Sequence, residues 1–284
     1  MAEILIIIGV FAGIIESAIV KKYNKKYGEG GFVFTAILAL FSMIFFILTD
    51  TDGFNIPGEI LWYAIPAGIC YALAYFFTFI AFGCGPFALS VLIMSYTLVF
   101  PTVYGLVALG ESATLFTYTG LICVFISIFL FRSRKEMGDG KFSLKWLISV
   151  IIVWAGNGMI SVLRIMQQKQ FNDKYNNDFM VVVLIVAAVL MFGIGIIKER
   201  KNIKQVFRCG VPWGAAAGIL NGCHNAISMI IITLMPVSIS SPLTAGIKIV
   251  TTFVFSYIVY KESYDRRQLA GVILGIISVV LLKM

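Results

Sequence analysis

The chain has 284 residues, 60% of them hydrophobic and 13% charged, with a mean hydropathy of +0.96. That balance excludes an ordinary soluble domain and points to an integral membrane protein. The formal net charge of +8 does not point to nucleic acid, because the basic residues sit in short loops between apolar runs; no nucleic-acid partner is expected.

About 20 apolar residues, at roughly 1.5 Å each, cross a hydrocarbon core of about 30 Å. In chain order, ten such runs lie near residues 3–20, 31–49, 60–82, 87–109, 114–131, 144–166, 179–197, 210–234, 238–260 and 267–282. No small-residue cleavage pattern follows the first, which is expected to be a retained helix.

The first run, in its stretch GVFAGIIESAIVKK, carries a carboxylate, Glu16. Ionisable groups in hydrocarbon are costly and mark ion or substrate paths, so Glu16 is a candidate for substrate binding and proton coupling. It shares a helical face with Gly9 and Gly13, whose missing side chains permit close helix packing. The third run aligns Tyr71, Tyr75 and Thr78; the sixth Asn157, Ser161, Arg164 and Gln168; the eighth Asn221, His224, Asn225 and Ser228. Polar residues at such helical spacing form a wall that avoids lipid. The fourth run adds Ser90, Met94, Thr97 and Tyr104, and the ninth Ser241, Thr244, Lys248 and Thr251. The expected substrate-binding set is Glu16, Tyr71, Tyr75, Asn157, Asn221, His224, Asn225 and Lys248. Blander roles stand beside it: Lys248 as an internal ion pair for Glu16, His224 as a satisfied interior histidine, the asparagines as interhelical glue. Arg164, near the end of its run, is expected to snorkel to the interface. Glu111 and Glu262, at run ends, are expected to cap helices or make gate contacts.

Basic residues gather after the first run (Lys21, Lys22, Lys25, Lys26), between the fifth and sixth (Arg132, Arg134, Lys135, Lys141, Lys145), between the seventh and eighth (Lys198, Arg200, Lys201, Lys204, Arg208) and between the ninth and tenth (Lys261, Arg266, Arg267). These loops share one side, which the positive-inside rule makes cytoplasmic, with both termini outside. The five cysteines and single histidine show no metal-ligand spacing, and no Gly-Lys-Ser/Thr phosphate loop occurs. No metal, cofactor, disulfide framework, ATP drive or enzymatic site is expected.

The chain also resembles itself. A shift of 150 residues lays Ala67-Gly68-Ile69 on Ala217-Gly218-Ile219 and Pro86 on Pro236; a shift of 151 lays Glu111 on Glu262 and Gly120 on Gly271; a shift of 143 lays Ala12-Gly13 on Ala155-Gly156. Tyr71, Tyr75 and Thr78 fall on Asn221, Asn225 and Ser228, and Met159 falls where Glu16 would. Five runs per copy is an odd number, so the second copy crosses in the opposite sense. The expected fold is an all-α integral membrane protein of ten transmembrane helices, two inverted five-helix repeats at 1–134 and 143–284, which can rock about a central site.

Residues 85–131 and 235–282 resemble the C-terminal half of an EamA domain. The pattern rests on Pro86, Gly110-Glu111 and Gly120 in one copy and Pro236, Lys261-Glu262 and Gly271 in the other. The resemblance implies a ten-helix transporter of the drug/metabolite transporter superfamily with two tandem EamA domains. The stretch GVFAGIIESAIVKKYNKKYGEGGF is similar to the first helix of small multidrug resistance proteins, with Glu16 at the position of the glutamate that binds proton and cation in turn. Lys21 and Lys22 come a few residues early against that pattern. Together these readings predict a secondary transporter exporting a small polar metabolite, amino-acid-like or an amine, by alternating access and coupled to protons through Glu16. The rival readings are an organic cation or multidrug exporter, and a lipid-carrier flippase or non-transporting membrane scaffold. The expected partners are a small-molecule substrate, the lipid bilayer and protons, in a monomer or homodimer of a bacterial inner membrane.

Overall fold

The computed structural model of the chain describes residues 2–28, 30–50, 53–85, 87–111, 114–130, 143–201, 203–260 and 266–281. Pro86, Lys261, Glu262 and the basic residues 132, 134, 135 and 141 lie outside them. The elements are α1 (Ala2–Tyr27), α2 (Gly31–Thr49), α3 (Leu61–Cys84), α4 (Phe87–Ser95), α5 (Val99–Val107), α6 (Leu115–Leu130), α7 (Leu144–Gln170), α8 (Asn176–Lys198), α9 (Ile203–Leu234), α10 (Val237–Phe255) and α11 (Arg266–Leu281). The described residues hold helices and no strand. Seven helical stretches among them are long and apolar enough to cross a membrane. Without water to satisfy it, a spanning backbone must bond to itself, and a helix does so.

Two departures from the apolar runs have physical causes. The run at 87–109 is not one helix: a 3-10 turn at Tyr96–Leu98 separates α4 from α5. Pro101 has no N–H for the carbonyl four residues back, at Thr97, so the ladder breaks there. Within the turn, Thr97 Oγ1 donates to the Met94 carbonyl at 2.6 Å. Conversely, α9 begins at Ile203, well before its apolar run, with Lys204 and Arg208 exposed. Apolar length measures hydrocarbon thickness, whereas the helix continues into the polar margin.

The most extensive packings join helices from different halves of the chain: α3 with α7 and α8, α1 with α9, α2 with α8 and α9, and α6 with α11. Two glycines matched by the 150-residue shift serve corresponding contacts. A Cβ at Gly68 would stand 2.8 Å from the Val183 carbonyl of α8, and one at Gly218 would stand 2.5 Å from the Leu38 carbonyl of α2. Both are close backbone approaches that any side chain would push apart.

Helix N-termini are also held across the halves. The residues preceding α2 and α10 are Gly30, in the left-handed region at φ 77°, and Pro236, and neither offers a side-chain acceptor. Glu199, at the end of α8, accepts from the Phe32 and Val33 amides at 3.0 Å each. Glu111 accepts from the Val237 and Ser238 amides at 3.0 and 2.7 Å. Each carboxylate satisfies two orphan donors and complements the helix dipole, so Glu111 caps a helix, one of the two roles expected of it.

Two clusters bracket the interior. At the end where α1 meets α2 and α3 meets α4, Tyr23, Phe34, Phe79, Phe82, Phe87 and Trp146 form one buried aromatic mass. Tyr23 stacks on Phe34 at 4.0 Å, and Trp146 Nε1 donates to Ser90 Oγ at 2.9 Å. At the other end, Ile165, Ile232 and Val237 pack with Tyr104 and Leu109. Trp146 and Ile165 lie near opposite ends of α7, roughly 28 Å apart at 1.5 Å per residue.

Candidate functional site

Between these clusters lies a cavity of about 270 Å³, lined by α1, α3, α4, α5, α7, α9 and α10. It begins with the glycine face of α1. An added Cβ at Gly9 would meet Ile227 at 3.0 Å, and one at Gly13 would meet His224 Nδ1 at 3.3 Å, so α9 seats directly against α1. That approach brings Asn221 to Glu16, whose Oε1 accepts from Asn221 Nδ2 at 3.1 Å.

Asn221 is the hub of the wall. Its Oδ1 accepts from the Tyr75 hydroxyl at 2.5 Å, Ser42 Oγ at 2.9 Å and Asn225 Nδ2 at 3.0 Å. Three donors on the oxygen turn the amide nitrogen toward the carboxylate, which aims Glu16 from α1 through groups on α2, α3 and α9. Tyr71 meets Tyr75 edge to face, with ring centroids 4.7 Å apart. His224 Nδ1 lies 2.7 Å from the Gly9 carbonyl. A carbonyl only accepts, so Nδ1 carries a hydrogen, which leaves Nε2 as the acceptor whenever the ring is neutral.

All eight expected residues, Glu16, Tyr71, Tyr75, Asn157, Asn221, His224, Asn225 and Lys248, line this one cavity. Lys248 faces it from α10 within Coulombic range of Glu16; among the described residues the two form no ion pair. Arg164 corrects an expectation. It does not snorkel: its side chain is 8% exposed, lines the cavity and donates from Nη2 to Ser228 Oγ at 3.0 Å. Four other residues of the polar faces point elsewhere. Ser90 belongs to the aromatic mass, Tyr104 to the aliphatic cluster, Gln168 Nε2 donates to the Met229 carbonyl at 3.4 Å, and Thr251 bonds within its own helix. Met159, set opposite Glu16 by the 143-residue shift, is 46% exposed and off the cavity, whereas Ile160 lines it.

Sequence reasoning missed Ser17, Ser95 and Ser240 on the cavity wall and Ser42 behind it. Ser17 adjoins Glu16, and that adjacency is a usable signal. Ser42 stands alone in an apolar run, and nothing local reveals that its partner is on α9.

Apolar helices lined inward by a polar, charged cavity define a polytopic membrane protein built to hold a small polar molecule away from lipid. The profile of the EamA-like transporter family matches residues 141–284. The chain therefore belongs to that family and is a multi-pass membrane transporter of the drug/metabolite type, not an enzyme. A solved crystal structure with 13% sequence identity has the same fold, at a TM-score of 0.63 over 97% of this chain and 98% of that one. No curated protein matches the sequence.

Proposed function

We propose that the chain is a secondary carrier that exports a small zwitterionic metabolite of amino-acid type by alternating access. The carrying observation is that Glu16 and Lys248 share one cavity without pairing. Each is left for the opposite charge of a single ligand: the ammonium at Glu16, where the Tyr71 and Tyr75 rings also favour a cation, and the carboxylate at Lys248. Asn157, whose side-chain amide has no partner among the described residues, and Asn225 would supply hydrogen bonds.

Proton coupling follows from competition. A proton and the substrate ammonium would each neutralise Glu16, so binding of one displaces the other, and antiport results. The ionisable groups facing Glu16 are Lys248 of α10, His224 of α9, Tyr71 and Tyr75 of α3, and Arg164 of α7. The cross-half packing supports two repeats that exchange roles: α3 on α7 corresponds to α9 on α1, and α2 on α9 to α8 on α3. With the basic loops cytoplasmic, the aromatic mass lies at the cytoplasmic end.

The rival transport reading, an organic cation exporter, needs Lys248 paired and turned away, and Lys248 lines the cavity instead. A volume near 270 Å³ also suits a metabolite better than a drug-sized molecule. The flippase reading places Arg164 at a lipid headgroup, yet Arg164 is interior. The test is counterflow of radiolabelled amino acids, amines and sugars in proteoliposomes, with an imposed pH gradient. Amino acids should exchange, and Glu16→Gln should abolish the response to the gradient. A Glu16→Gln protein that still follows the gradient would end the coupling proposal.

A further inference from the structure

Arg164 is the charged group that the proposed function leaves unused. It is buried, it faces the cavity, and of its five N–H donors one bond is accounted for, to Ser228; its Nε has no acceptor among the described residues. Buried guanidinium groups are ordinarily matched by a carboxylate or phosphate. Among the described residues the cavity wall offers one carboxylate, Glu16, and that is bonded to Asn221.

The fixed charges of the wall are thus two cations, Lys248 and Arg164, against one anion. A neutral zwitterion would satisfy Glu16 and Lys248 and leave the guanidinium without a counter-charge. A second anionic group on the ligand removes that imbalance, and the planar fork of arginine is suited to a carboxylate. We propose that Arg164 binds a second carboxylate of the substrate, so that the transported species is an acidic amino acid with one ammonium and two carboxylates. This rests on the zwitterion reading above and narrows it.

The test compares saturable counterflow of L-aspartate, L-glutamate and L-alanine by the full chain in phosphatidylethanolamine–phosphatidylglycerol liposomes. The acidic amino acids should be preferred at least tenfold in kcat/KM. Arg164→Gln should lower the aspartate-to-alanine ratio of kcat/KM by at least tenfold, and Arg164→Lys, which keeps the charge but not the fork, should fall between. Should Arg164→Gln fail to fold, stabilisation of the wild-type protein decides, with L-aspartate expected to raise Tm more than L-alanine at equal concentration. An unchanged ratio in Arg164→Gln, or equal Tm shifts from the two ligands, overturns the proposal. Transport of neutral amino acids alone overturns it while sparing the zwitterion reading. Transport of no amino acid overturns both.

Discussion

The two ends of the cavity are packed by different means. One is a deep aromatic mass in which Tyr23, Phe34 and Phe79 interlock and Trp146 is bonded to Ser90. The other is a thin aliphatic layer of Ile165, Ile232 and Val237, backed by Glu111 on the amides of α10. Ile165 and Ile232 themselves line the cavity. Parting this small cluster exposes little new surface, whereas the aromatic end must separate stacked rings buried to a few per cent. The thin end is therefore the one that should part more easily, an expectation that exchange rates can check.

Substitutions can break or sharpen that contrast. Phe34→Ala, at a fully buried ring stacked on Tyr23, should cost about 3–5 kcal/mol and lower the detergent Tm most; a change of under about 1 kcal/mol would mean the mass is loosely packed. Gly218→Ala and Gly68→Ala should each cost about 1–3 kcal/mol by forcing α9 from α2 and α3 from α8. Similar Tm losses for the two support the repeat correspondence, and a neutral effect at either denies it. Glu111→Gln and Glu199→Gln remove a capping charge and should each cost about 1 kcal/mol. They should differ in kinetics, with Glu111→Gln alone changing the counterflow rate, because only its cap sits beside the thin layer. Ile165→Val should cost least, about 0.5–1 kcal/mol, and should speed exchange. A slower rate would argue that opening is not at that end.

Much of the site is legible because a bilayer makes polar residues informative: each one inside an apolar run has to face something other than lipid. Tyr71, Tyr75, Asn221 and Asn225 stand out on that ground, and the 150-residue shift by itself groups them. Arg164 is misread because its position near the end of an apolar run suggests access to the interface, while the helix continues to Gln170 and keeps the guanidinium inside. The break at Tyr96–Leu98 is visible only if Pro101 is weighed against a run whose hydropathy shows no interruption. Ser42 and Glu199 escape because each acts on a residue more than a hundred positions away.

The interleaved packing bears on how the chain is made. As α1, α2 and α3 enter the membrane, the surfaces they will bury belong to α7, α8 and α9, which have not yet been synthesised. Glu16 meets Asn221 only after more than two thirds of the chain exists, so during that interval it has neither its amide partner nor a cavity. Neither half owns a complete interior, and separated halves should accumulate only when expressed together.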